Sequence, residues 1–239
     1  MRISKFWAWF FFFLLWEVSA LLVHNSLFLP NPRETLEALI HILQKGESYT
    51  FLLYSALRVL LGLGGALILG SLLGFISGMK KEIGILLMPL ESLLKTVPVV
   101  SFIMLALLWL GSRGVPIFIT FLMTMPIFWS AAEESVLKAD VKLLEMMDVF
   151  KLSFRKKMKA FYLPWAKQYL LLAFRQSVGL AWKAAVAAEV LSFTPLSIGR
   201  KIQESKTFLE TADLFAWTFL LLVLSYLLER LVGREAKEY

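Results

Sequence analysis

Seven ionisable side chains stand inside stretches that are otherwise apolar: Glu17, Arg58, Glu91, Lys95, Arg175, Lys183 and Glu189. A charge at the centre of a membrane helix costs about 2.5–3.5 kcal/mol on insertion scales, so each needs a partner, a route to water or a wet cavity. Glu91 and Lys95 are four residues apart and are expected to pair along one helix. Arg58 and Arg175 are expected to snorkel or to pair structurally before they serve any ligand. Lys183, in "VGLAWKAAVAAEV", is too deep to reach water along its own helix. It must face either a buried partner or a wet cavity, and in a cavity it would be a fixed cation able to hold an anionic solute. Glu189 is about 120° further around the same helix and is not an obvious same-face partner.

Other chemistry is missing from the chain. No glycine-rich loop leads to Lys and Ser or Thr, and the dipeptide Gly-Lys never occurs, so any ATP must be hydrolysed by another chain. Neither H-E-x-x-H nor G-x-S-x-G is present, the two histidines, His24 and His41, stand apart, and there is no cysteine. No metal site and no bound cofactor are expected.

The elements that must hold these charges are membrane spans. With 59% hydrophobic and 18% charged residues over 239 positions, the chain has too little polar surface for a soluble globule of its size. The net charge of +7 fits the retention of Lys and Arg beside spans on the cytoplasmic side, and no nucleic-acid partner is expected. Six apolar stretches are long enough to cross a bilayer, at 6–23, 51–78, 84–110, 115–132, 165–192 and 213–232. The first follows basic "MRISK" and could be a signal peptide cut after "VSA", but its apolar run continues through Val23 and favours an uncleaved span. Fourteen Lys and Arg then fall on one side and six on the other, which predicts both termini inside. The expected organisation is an N-terminal transmembrane helix over 1–27, an external loop with a short amphipathic helix over 28–50, and an all-α core over 51–239 containing a cytoplasmic segment, 133–163.

Within the second span Gly62, Ala66, Gly70, Gly74 and Gly78 recur every four positions. Such a bare ridge predicts close packing against a neighbouring helix. Pro89, Pro98 and Pro126 remove backbone donors and are expected to kink or break their helices.

The segment "EMMDVFKLSFRKKMKAFYLP", residues 145–164, interrupts the apolar spans. Leu143, Met147, Phe150 and Phe154 are spaced by four, three and four, with Met146 beside them, which predicts an amphipathic helix. The pattern alone fits a helix lying on the inner leaflet as well as a docking surface. Glu145 is followed after nineteen residues by Pro164 of a Leu-Pro pair, where the fifth span begins. This resembles the EAA motif of ABC importer permeases: Glu-Ala-Ala, a Gly six positions after the Glu and a Leu-Pro at nineteen. "FLPNPRETLEAL", "SALRVLLGLGGALILGSLLG", "VPVVSFIMLALLWLG", "LAFRQSVGLAWKAAVAAEVL" and "SIGRKIQESKTFLETADLFAW" follow in the order of the nitrate, sulfonate and taurine type, over 28–233.

The resemblance implies a polytopic type I permease of the bacterial inner membrane, paired with a second copy as a homodimer. Its other partners would be two cytoplasmic ATPases, which carry the ATP and Mg, and an external solute-binding protein. Leu144, Glu145, Met146, Met147, Phe150 and Lys151 would form the coupling element that the ATPase grips, and Pro164 would start the fifth span. Arg175, Lys183 and Glu189 are the candidates for the path or for intramembrane pairing. The sequence departs from the motif at Met146 and Met147, where it has Ala-Ala, and at Lys151, where it has Gly. Replacing that Gly makes a left-handed turn costly. The rival readings are an energy-independent channel or secondary carrier, which leaves the interruption at 145–164 unexplained, and an intramembrane enzyme or scaffold.

Overall fold

A computed structural model describes residues 5–96 and 98–235. The extreme termini, 1–4 and 236–239, whose side of the membrane the charge count predicts, lie outside the described residues. Every regular element among the described residues is helical. In chain order they are α1 (Lys5–Val23), α2 (Pro32–Gln44), α3 (Gly46–Met79), α4 (Lys81–Thr96), α5 (Val99–Leu137), α6 (Val141–Val149), α7 (Phe154–Lys157), a π-helical turn (Met158–Tyr162), α8 (Leu163–Leu191), α9 (Ile198–Thr207) and α10 (Thr211–Glu235).

Three of these are long and apolar enough to cross a membrane: Gly46–Met79, Val99–Leu137 and Thr211–Arg230, with Phe10–Val23 a shorter apolar helix. α8 has the length but carries Lys167, Arg175, Lys183 and Glu189, which lower its mean hydropathy. The stretch expected as one span over 84–110 is two helices. α4 ends at Thr96, and Pro98, in an extended conformation, caps the start of α5. Proline has no N–H to give a preceding carbonyl and disfavours helix in the residue before it. Pro89 and Pro126, by contrast, sit within α4 and α5. The second break in this region is at Gly111, with φ 63° and ψ 173°, a region of backbone space that side chains essentially forbid. It separates 99–110 from 112–137, and Ile103 and Ala106 of the first half share one buried cluster with Val115 and Ile119 of the second, against Ala184 and Ala188 of α8.

The central contact is α3 on α5. A Cβ on Gly62 would lie 2.6 Å from Cβ of Thr120, one on Gly70 2.6 Å from the Met125 carbonyl, and one on Gly78 2.7 Å from Cβ of Val136. At Gly74 it would meet the Trp129 carbonyl, and Ala66 between them is fully buried. Successive contacts advance in the same direction on both helices, so α3 and the 112–137 half of α5 run parallel. Trp129, Phe128, Ala181 and Trp182 fill the core between α3, α5 and α8. One end of the bundle therefore carries α6 and α7; the other carries α2, α9 and the start of α10.

The ends are chemically well closed. Asn31 caps α2 by accepting from Glu34 N at 2.8 Å, while the Glu34 carboxylate accepts from Asn31 N at 3.1 Å, a reciprocal capping box. Pro116 leaves the Ser112 carbonyl without its helical donor, and Thr194 Oγ1 donates to it at 2.8 Å, tying the α8–α9 loop to α5.

Candidate functional site

At the α6 end, Asp140 caps α6 by accepting from Lys142 N at 2.9 Å. The helix ends at Val149 with Phe150 as its cap, and Lys151, next in the chain, adopts φ 49°. Lys151 N donates to Asp148 O at 2.9 Å and Leu152 N to Met147 O at 3.0 Å, the paired bonds of a left-handed helix stop. The backbone thus takes the conformation that the motif's glycine permits, with a lysine in it. An L side chain there costs on the order of 1 kcal/mol. Lys151→Gly is accordingly expected to slow hydrogen exchange of the Lys151 and Leu152 amides by about fivefold; unchanged or faster exchange would show that the lysine is held there without strain.

Lys157 pairs with Asp148 and clips α7 onto α6. The apolar stripe expected through Leu143, Met147, Phe150 and Phe154 is exposed at 143, 150 and 154, but Met147 is half-buried, as is Leu144. Met146 and Val149 are exposed in its place, and Phe150 is 71% exposed. The shift arises because Leu144 and Met147, three apart, share the less exposed face of α6. Glu145 and Lys151 are exposed and Glu145 forms no ion pair among the described residues. Pro164 lies in the first turn of α8, directly after the π-helical turn. Trp165 Nε1 donates to Ser135 O at 3.0 Å and its ring stacks on buried Phe161, which fixes the start of α8 against the end of α5.

The intramembrane charges separate into distinct environments. Lys95 pairs with Glu91 at 2.8 Å, and Ser130 Oγ donates to the same carboxylate at 2.7 Å. Arg175 is half-buried. Lys183 is exposed and has no ion pair among the described residues, on a face of α8 that also exposes Leu172, Gln176, Leu180 and Ala187. Glu189 is fully buried and meets Arg58, 8% exposed, with Arg58 Nη1 3.1 Å from Glu189 Oε1.

That pair closes a nonlocal lock. Ser55 Oγ lies 2.8 and 2.9 Å from the two Glu189 oxygens and accepts from Ile198 N at 3.0 Å. Gly199 N donates to Glu189 Oε2 at 3.1 Å and Arg200 N to Ser197 Oγ at 3.0 Å. The first three amides of α9, which no helix can satisfy internally, are thus all paired, one of them by a carboxylate that also suits the positive end of the helix dipole. Arg58 Nη2 and Nη1 donate to the Pro195 and Leu196 carbonyls at 2.9 and 3.1 Å. Gly199 permits this approach: a Cβ there would lie 2.7 Å from Val190 N. The sequence shows Arg58 and Glu189 as separate charges, and Ser55 carries no signal that would have joined them.

The bundle therefore joins a charged, apolar-faced appendage at one end to a long helix with an uncovered cation, and residues 66–234 match the binding-protein-dependent transport system inner membrane component family. The chain belongs to that family, and it is a multi-pass permease subunit of an ABC importer. It is 27% identical over 221 residues to an aliphatic sulfonates transport permease of Bacillus subtilis, covering 91% of this chain and 79% of that one. It is 25% identical over 223 residues to the taurine transport system permease of Escherichia coli, covering 90% and 80%. A bicarbonate transport system permease of Synechococcus elongatus is 25% identical over 181 residues, covering 75% and 65%.

Proposed function

We propose that this chain forms, as a homodimer, the translocation path of an importer for a small anion such as a sulfonate, taurine or nitrate, or for a vitamin precursor. Six spans, with the α4 and 99–110 helices together making the third, would leave both termini and α6 in the bacterial cytoplasm. A separate ATPase pair would hold ATP and Mg, and an external solute-binding protein would deliver the solute to the α9 end. The observation that carries this reading is the exposed apolar face of Leu143, Met146, Val149, Phe150 and Phe154, set among cations at one end of the bundle. A soluble partner that covers that face can transmit its closure to α5 and α8 through the Trp165 contact.

The uncovered face of α8 is assigned to the path. Gln176 and Lys183 are too polar for lipid, so a second copy or water meets them. Vesicles reconstituted with the chain, its ATPase and its binding protein are expected to accumulate solute only with ATP and all three proteins. Uptake by the chain alone would favour a carrier instead. In the same assay Lys183→Met is expected to lower uptake of an anion at least tenfold with an unchanged melting temperature, because no partner within the protomer is lost; unchanged uptake would remove Lys183 from the path.

A further inference from the structure

The end of the bundle opposite α6 contains a cavity of about 300 Å³ between the end of α2, the first turns of α3 and α10, and α9. Its floor is aromatic: Phe51 meets Trp217 edge to face with ring centroids 6.4 Å apart. Lys201 Nζ sits 4.8 Å from the Phe51 centroid and 2.8 Å from Glu204 Oε2, so this lysine is neutralised within the wall. Partial burial pushes the Glu204 carboxyl up, but hydrogen bonds from Arg200 and Lys201 outweigh it and hold the group below the ordinary carboxylate range. Glu204 is therefore ionised and already used.

Three further carboxylates, Glu47, Glu210 and Asp213, line the cavity, against one further cation, Lys45. None of the three carboxylates forms an ion pair among the described residues. A second, independent feature accompanies them. Ser48 and Ser205 are 3% and 4% exposed, line the same cavity, and have no side-chain hydrogen-bond partner among the described residues. Neither hydroxyl oxygen is shut off from solvent, so both open onto the cavity, where they can bond a polar guest. The excess of unpaired carboxylates fixes its sign as positive, and the aromatic floor suits a short alkyl stem or the face of a cation.

We propose that this cavity binds a small alkylammonium ion, its nitrogen held by Glu210 and Asp213 with the Ser48 and Ser205 hydroxyls, and its alkyl chain on Trp217 and Phe51. The site is separate from the uncovered face of α8 and from the Arg58–Glu189 lock. An amine bound here touches α2, α3, α9 and α10 at once and so stiffens this end of the bundle.

The test uses the full chain in zwitterionic lipid nanodiscs, followed by thermal unfolding with n-butylammonium, n-butanol and n-butanesulfonate. At fifty times its dissociation constant the amine is expected to raise the melting temperature by about 5 °C. The alcohol and the sulfonate, which lack the cation, should leave it within 1 °C by the same linkage. The double variant Glu210→Gln, Asp213→Asn changes exposed or half-buried groups without ion pairs, so it should fold and lose the shift. No shift with the amine, an equal shift with the alcohol, or a shift that survives in the double variant overturns the site.

Discussion

Glu189→Ala lowers the stability of the folded chain by about 3–5 kcal/mol, the cost of leaving a buried charge without its partner. The expectation rests on what the carboxylate holds. It pairs Arg58, receives Ser55 Oγ, and accepts an amide from the first turn of α9. Alanine leaves the Arg58 guanidinium buried with only two carbonyls, and leaves the Gly199 amide with nothing. Because those contacts are made from three elements, the loss is read in two ways: a lower melting temperature, and protease cleavage within 193–200, where α9 comes free. The double variant Glu189→Ala, Arg58→Met removes both charges and should recover more than half of the lost stability, since a buried pair replaced by apolar groups is often neutral. A single variant that melts like the parent, with 193–200 still protected, shows that the lock carries no stability.

Met146→Ala combined with Phe150→Ala is expected to abolish ATPase copurification while the membrane helices stay folded. Interfaces are held by a few central apolar anchors, each worth about 2 kcal/mol or more, so two truncations weaken docking on the order of 10²–10³-fold. Met147 is the wrong residue to truncate: it is half-buried, so its loss would mix folding with docking. Leu57→Ala with Leu61→Ala, exposed positions on α3 away from this segment, serves as the control. Copurified ATPase at the parent's level in the Met146, Phe150 variant refutes the docking role of α6, and loss in the control variant shows that the effect is not specific to it.

Much of the architecture is local in origin and so can be read along the chain. α2 forms within the 28–50 stretch expected to hold a short amphipathic helix, and it begins at Pro32 behind the Asn31 cap because capping and proline geometry are properties of neighbours in sequence. The break before α5 falls at Pro98 for the same reason. The four-residue recurrence from Gly62 to Gly78 marks a ridge, but nothing in the period says which helix fills it; Thr120, Met125 and Val136 become its partners only when the chain folds. Arg58 and Glu189 are 131 positions apart, and their pairing depends on where α3 and α8 come together. Gly111 falls between the expected spans 84–110 and 115–132, whereas its positive φ lets two helices follow each other without a loop. Lys151 is the opposite case: a residue that local preference argues against sits in a left-handed turn because the surrounding hydrogen bonds fix it there.

The ridge has a mechanical meaning as well. Each of its glycines is clasped by a carbonyl or a Cβ of α5, and the next opening lies a full turn away, about 6 Å along the axis. Any smaller slip of α3 along α5 drives the flanking side chains into backbone. The two helices are toothed together like a rack, able to hold one registration or jump to the next but not to creep. Motion that opens and shuts a path must therefore carry α3 and the 112–137 helix as one girder, with the give confined to the joints at Pro98 and Gly111.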